Sequence, residues 1–276
     1  MREHLLRRYA EIRNKMRNEP AWAVHKEYNK DELLETTIPF VGKNYAEQDF
    51  KILVYASAEN LANYDGYLER EEKVDICDRH RGWFNKKYNE TRFFPDVHLQ
   101  PMNDGMLLLA AYYIAYQLKS EYREKLEPIE FMEKIAFGNY GKYSIEGPKN
   151  IDYPPKKEEK EKVAMSHDYI REDIRILKPD LIIMPRTIFD NDKNFVSTLQ
   201  ELSDKPLQFC KIYQLNRTTM NCLIKKKFQP REYSSMDEVF FQWNQNVKGF
   251  SVEELRYMFG HLDIAIEETK RGGIGD

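Results

Sequence analysis

The chain is poor in cysteine, and that shortage sets the first limits. Only Cys77, Cys210 and Cys222 occur among 276 residues. Their number is odd, their spacing is wide and no C-x-x-C is present, so neither a disulfide framework nor an all-cysteine zinc site is expected. Each cysteine reads as a small buried hydrophobe, and a reducing, cytoplasmic setting is expected. Long apolar runs are also missing. The most apolar stretch, MLLLAAYYIAYQL at Met106–Leu118, falls short of the roughly 20 residues that cross a bilayer and instead predicts a buried helix. The opening MREHLLRRYAEIRNKMRNEP lacks the apolar stretch of a secretory signal. No membrane partner is expected.

Several motifs of well-known enzymes are absent too. There is no G-x-x-x-x-G-K-[ST] and no G-x-G-x-x-G, which disfavours phosphate-loop ATPases and Rossmann dehydrogenases. The lack of G-x-S-x-G argues against the common hydrolase elbow. His25, His80, His98, His167 and His261 stand alone, with no H-x-x-x-H or H-E-x-x-H. Asp75, Asp78 and His80 lie close together in DICDRH, where a solvated turn is favoured over a divalent-ion site. Neither a metal nor a cofactor is expected. The net charge of −3 excludes a uniformly basic nucleic-acid binder but leaves room for a local basic stripe.

What is present is an alternation of apolar strands and helices. Hydrophobic residues make up 41% and charged residues 32%, enough for a real core beneath a heavily solvated surface. Residues 1–34 predict a helical extension with Leu5, Leu6, Tyr9, Ile12 and Met16 on one face. KILVYA at Lys51–Ala56 predicts the first buried strand, with the polar SAENLANYDG as its strand-end loop. Residues 60–100 show no period. Glu133–Phe137 predicts a short second strand that ends in GNYGKYS. Residues 145–162, dense in proline and charge, predict a loop or insertion.

A helix is predicted over 163–177, with Tyr169, Ile170, Ile174 and Leu177 facing inward, ended by Lys178-Pro179-Asp180. Leu181–Met184 predicts the third strand, closed by Pro185, and Phe209–Leu215 the fourth, with NRTTMN behind it. Capping boxes at Ser235–Glu238 and Ser251–Glu254 open two C-terminal helices. The expectation is one α/β domain over 1–276: a helical extension (1–34), a core (35–230) and C-terminal helices (231–276). The core is expected to hold a mostly parallel four-stranded central sheet flanked by helices on both faces.

Three segments, taken in order, resemble the uracil-DNA glycosylase superfamily. IAFGNYGKYS at Ile135–Ser144, followed by Pro148 and Asn150, is similar to that family's strand-end motif of an apolar strand, an Asn, two small or apolar residues and a Lys. The resemblance implies that Asn139 reads the edge of a flipped base and that Lys142 matches the family's Lys. YIREDIRILKPDLIIM at Tyr169–Met184 resembles the family's helix, Lys-Pro and central strand, and KILVYASAEN at Lys51–Asn60 occupies the place of its first motif. Two departures stand out. The family's Gly-Glu-Ala-Pro-Gly or Gly-Gln-Asp-Pro-Tyr is replaced by Tyr55-Ala56-Ser57-Ala58-Glu59-Asn60, and its His-Pro-Ser by Leu215-Asn216-Arg217-Thr218-Thr219. The iron–sulfur branch needs four cysteines, which this chain lacks. The resemblance spans residues 38–225.

The chemistry it implies is excision of a modified or deaminated base from DNA. The flipped base needs an amide for its edge, here Asn139, and aromatic faces, for which Phe137, Tyr140, Tyr64, Phe93 and Phe94 are candidates. Glu59 and Asn60 are the candidates for directing water. Lys142, Asn216, Arg217 and Thr218 are candidates for phosphate or leaving-group contacts, with Lys225–Lys227 gripping phosphates or forming a solvated loop. Loss of one oxyanion-type donor costs about 2.7–4 kcal/mol of barrier in other enzymes, so the missing His keeps a second reading open: a DNA- or nucleotide-binding protein that does not cut. A third is an unrelated α/β small-molecule hydrolase or partner-binding module.

Overall fold

The computed structural model describes residues 1–16, 38–60, 103–145, 166–232, 234, 237–245 and 250–272. The predicted loop 145–162, the polar stretch 61–102 with Cys77, the DICDRH cluster, Tyr64, Phe93 and Phe94, and Ser235-Met236 of one predicted capping box lie essentially outside the described residues.

Five strands form one sheet: β1 (Phe40–Val41), β2 (Ile52–Asn60), β3 (Ala136–Ile145), β4 (Leu181–Pro185) and β5 (Gln208–Ile212). Their spatial order is β1-β3-β2-β4-β5. β3, β2, β4 and β5 run parallel, and β1 adds an antiparallel edge to β3. The expected four strands are thus corrected to five. The extra one has two residues, too short to leave a periodic pattern, and exists because Phe40 and Val41 pair with Phe137 and Ala136.

Two further corrections concern strand ends. β2 continues through Ser57-Ala58-Glu59-Asn60, where a loop is expected from the sequence, and β3 runs from Ala136 through GNYGKYS to Ile145. Each is the other's reason. The pair stays in register through Ala56↔Asn139 and Ala58↔Gly141, shifts after Ala58, and closes at Asn60↔Ile145. A ladder partner from a distant part of the chain supports extended polar backbone that local composition does not.

Both faces of the sheet are covered, and buried-both-sides strands account for the unbroken apolar runs of β2 and β4. On the first face lie Ile52, Val54 and Ala56 of β2, Ile183 of β4, and Cys210 and Ile212 of β5. They pack against α2 (Asn103–Leu118), α8 (Glu238–Gln245) and α9 (Val252–Lys270). Apolar residues surround α2 on all sides, as in a fully buried helix. On the second face, Leu53, Tyr55, Ile182, Met184 and Phe209 meet α1 (Arg2–Met16) and α4 (His167–Leu177). They also meet the short α5 (Arg186–Asn191) and α6 (Lys193–Thr198). The short α3 (Pro128–Met132) precedes β3, and a helical run α7 over 217–227, with a π-turn at Met220–Ile224, follows β5.

The crossovers set the polarity of the helices. Beyond the C-terminal end of α2, the Glu121 carboxylate accepts from the Phe50 N–H, and the Tyr122 hydroxyl donates to the Phe50 carbonyl, just before β2 begins. The N-terminus of α2 therefore points to the carboxyl ends of the parallel strands. α4 is ended by Lys178, held at φ 48 in the left-handed region, with its N–H on the Ile174 carbonyl and Pro179 next in the chain. β2 feeds a helix on the first face and β4 feeds helices on the second. The β2/β4 boundary is thus a topological switch point, where open α/β sheets place their ligand crevices.

Candidate functional site

Strand alternation decides where each candidate on β3 can act. Phe137 and Asn139 share the first face with Ala56, whereas Tyr140 and Lys142 share the second face with Tyr55. Four residues that read as one motif in sequence therefore serve two different layers.

On the first face, Phe137 is half-buried and packs on the core beneath α2. Asn139, also half-buried, lies beside Ala56. Its carboxamide makes no side-chain hydrogen bond among the described residues. The next pair along the same two strands is Ala58 and Gly141, so the neighbouring positions are occupied by small residues. β4 ends at Pro185, opposite Ile212 of β5, whereas β2 and β3 run on past Asn139 to Asn60 and Ile145.

On the second face the geometry overturns two expected roles. Lys142 does not reach a phosphate. Its ammonium lies 2.5 Å from Asp173 Oδ2 of α4, with both side chains wholly buried. Asp173 also accepts from Tyr9 (2.6 Å) and Tyr55 (2.7 Å). Burial and the Asp173 carboxylate push the Tyr55 hydroxyl well above the usual phenol range, so it stays a donor. A charge this deep requires such a set of partners, since an unpaired one would ionise only at great cost. Tyr140 offers no open platform for a base either. Its ring is buried and its hydroxyl donates to Asp192 Oδ2 at 2.6 Å.

Glu59 and Asn60 end β2 as strand residues rather than standing on a loop. After β5, Asn216 caps its own helix, with its side-chain oxygen accepting from the Thr219 N–H at 2.8 Å. Arg217 is 59% exposed, 3.6 Å from Glu254 and over the Phe250 ring, and Thr218 is exposed. Glu254 is shared with Lys225 at 3.3 Å. Burial raises its carboxyl pKa, but the Ser251 N–H and the Lys225 ammonium outweigh this and hold it below the usual range. β5 lies three strand positions from β3, about 14 Å at the usual strand spacing, so the segment at Arg217 and the Asn139 carboxamide are separate features of the same sheet. From Lys205 to Arg231 the chain carries seven basic residues and no acidic one, a local basic stretch in a chain of net negative charge.

The sequence pattern does not announce Asp173 and Asp192, which hold Lys142 and Tyr140. Asp173 has a faint signal, being a charged residue on the inward face of α4 next to Ile174. Asp192 has none, standing in the charged run DNDK.

No family model, curated protein sequence or solved structure matches this chain.

Chemically, the first-face site offers one carboxamide, able to donate and accept at once, with alanine and glycine at the neighbouring ladder positions. Among the described residues no group of three or more potential metal ligands comes together, and no described helix is long and apolar enough to cross a membrane.

Proposed function

We propose that this protein recognises a nucleobase, in DNA or as a nucleotide, through Asn139, and that it binds rather than cleaves the glycosidic bond. The observation that carries this reading is the Asn139 carboxamide, free of side-chain hydrogen bonds among the described residues and half-buried on the first face of a doubly wound sheet. A buried or half-buried amide normally finds partners in the protein. One left open beside Ala56 and Gly141 suits the donor–acceptor edge of a base. The similarity of Ile135–Ser144 to the strand-end motif of uracil-DNA glycosylases supports the same assignment, and the basic stretch over 205–231 supplies cations for phosphates.

Binding without excision is favoured because two of the residues that leaving-group stabilisation would draw on have other duties: Asn216 caps a helix and Arg217 is engaged by Glu254. No histidine stands where the family's departing base is stabilised.

The test is a titration of fluorescent single-stranded oligonucleotides containing uracil, thymine or an abasic analogue, at several salt concentrations. The expected result is salt-dependent binding that weakens at least tenfold in Asn139→Ala, roughly the 1–3 kcal/mol that a bidentate base contact is worth, with no abasic product. Accumulation of abasic product that requires Glu59 would favour the glycosylase reading. Equal affinity of wild type and Asn139→Ala for every oligonucleotide would overturn base recognition by this residue.

A further inference from the structure

Three segments that follow or belong to successive parallel strands bring a second set of side chains together, on the face opposite Asn139. Tyr140 comes from β3, His167 is the first residue of α4, and Asp192 is the joint between α5 and α6. Asp192 Oδ2 accepts from the Tyr140 hydroxyl at 2.6 Å and lies 2.7 Å from His167 Nε2. A carboxylate only accepts, so Nε2 carries the proton, and in the neutral ring the lone pair sits on Nδ1. Among the described residues, no side chain or backbone group bonds to Nδ1. His167 and Asp192 are 19% and 18% exposed, so the pair sits at a partly solvated surface rather than in the core.

The imidazole is also fixed in plane. The Phe195 ring, one turn after Asp192, stacks on it at 3.6 Å with 4° between planes. The Arg171 guanidinium lies 4.9 Å from the centre of the same Phe195 ring and is paired with Asp168. The stacked ring fixes the plane of the imidazole and Asp192 fixes its edge. The Tyr140 hydroxyl keeps its proton, because burial and the neighbouring Asp192 carboxylate raise it well above the usual phenol range. The unit therefore has one vacancy for a proton, at His167 Nδ1.

We propose that His167, oriented by Asp192 and Tyr140, is the general base of a second reactive site that activates a water or other hydroxyl nucleophile. Structural histidines in surface ion pairs need neither the stacking partner nor the second donor on their carboxylate. A carboxylate that fixes one ring nitrogen while the other stays free is the arrangement that proton-abstracting histidines use. In the step, the O–H bond of water breaks and its proton goes to Nδ1 as the water oxygen bonds to an electrophilic carbon. The imidazolium is held by Asp192 and Phe195 until the leaving group or solvent takes the proton. This site stands independently of base recognition at Asn139, being on the other face of the sheet.

The test uses the full chain and p-nitrophenyl acetate as the electrophile. Water adds to the ester carbonyl, the carbon–oxygen bond to the nitrophenyl group breaks, and acetate and p-nitrophenolate are released. Release is expected to be about a hundredfold faster than with free imidazole at equal concentration, at the lower end of general-base effects. It is expected to fall to background in His167→Gln and by at least about tenfold in Asp192→Asn, which no longer fixes the tautomer. Tyr140→Phe, which keeps the ring packing, is expected to fall a few-fold. Ring ¹⁵N spectra of folded wild type are expected to show Nε2 protonated and Nδ1 bare. Release no faster than with imidazole, an unchanged rate in His167→Gln, or a proton on Nδ1 of the neutral ring would each overturn the proposal.

Discussion

The Lys142 ammonium and the Asp173 carboxylate meet 2.5 Å apart with no exposure of either side chain, and the Tyr9 and Tyr55 hydroxyls close the carboxylate's remaining sites. A pair of this kind gains little over a well-packed apolar one, but losing one member strands the other. Lys142→Met is therefore expected to destabilise the fold by about 3–5 kcal/mol. Lys142→Met combined with Asp173→Asn, which removes the stranded charge but keeps an acceptor for the Tyr9 and Tyr55 hydroxyls, is expected to recover part of that loss. Urea unfolding of the two variants and the wild type measures both, and a double variant no more stable than the single one would show that the charges are not the cause.

His261 of α9 supplies a pH dependence of definite sign. Its Nε2 accepts from the Tyr213 N–H at 2.9 Å, and burial, helped by the nearby Arg186 charge, pushes its pKa down to about 3 from the ordinary 6.5. Below pH 6.5 the unfolded chain binds a proton that the folded chain refuses. Stability is thus intact above pH 6.5 and is lost as pH falls toward 3. Between pH 6.5 and 5, before most carboxylates titrate, the loss from this group is about 2 kcal/mol, at about 1.36 kcal/mol per pH unit. His261→Gln, compared with wild type by unfolding at each pH, is expected to flatten that interval.

Gly260 shows where a helix has been fitted to a loop. A methyl group there would stand 2.0 Å from the Gln229 carbonyl oxygen, where backbone, not a flexible side chain, is the obstacle. Alanine favours an isolated helix by about 1 kcal/mol over glycine, yet Gly260→Ala is expected to lower stability by about 1–3 kcal/mol as the 228–231 segment is forced off α9. Thermal melting of the variant decides which effect wins.

Lys226 and Lys227 are the exposed end of the basic stretch, with Lys227 loosely held by the Tyr213 hydroxyl at 3.4 Å. If they meet phosphates, replacing both with Gln is expected to lower the slope of log affinity against log salt by about 2 on duplex DNA and to weaken binding evenly across sequences. An unchanged slope would place the phosphates elsewhere.

Much of the architecture was legible from periodicity. Tyr169, Ile170, Ile174 and Leu177 are inward-facing in pattern and all four are buried in α4. KILVYA is a strand covered on both sides, and the Ser251–Glu254 capping box forms with both of its hydrogen bonds. Pattern fails where the cause is remote. The Ser57–Asn60 backbone is extended because β3 pairs with it, and β1 exists only through its two partners. The motif Asn139–Lys142 shows the same limit at the level of the site. Spacing identifies its residue types but not which layer each side chain enters, and a shift of one residue moves a side chain to the opposite face. Partners such as Asp173 and Asp192 then fix what Lys142 and Tyr140 can do.

Tyr9 makes the first helix a stakeholder in charge buried beneath it. Clipping the chain after Met16 would take away Leu5, Tyr9 and Ile12 together, opening the second layer to solvent and removing one of the two phenols that shield Asp173. Proteolytic trimming at that point would leave a remnant prone to swelling and self-association rather than a shorter version of the same protein.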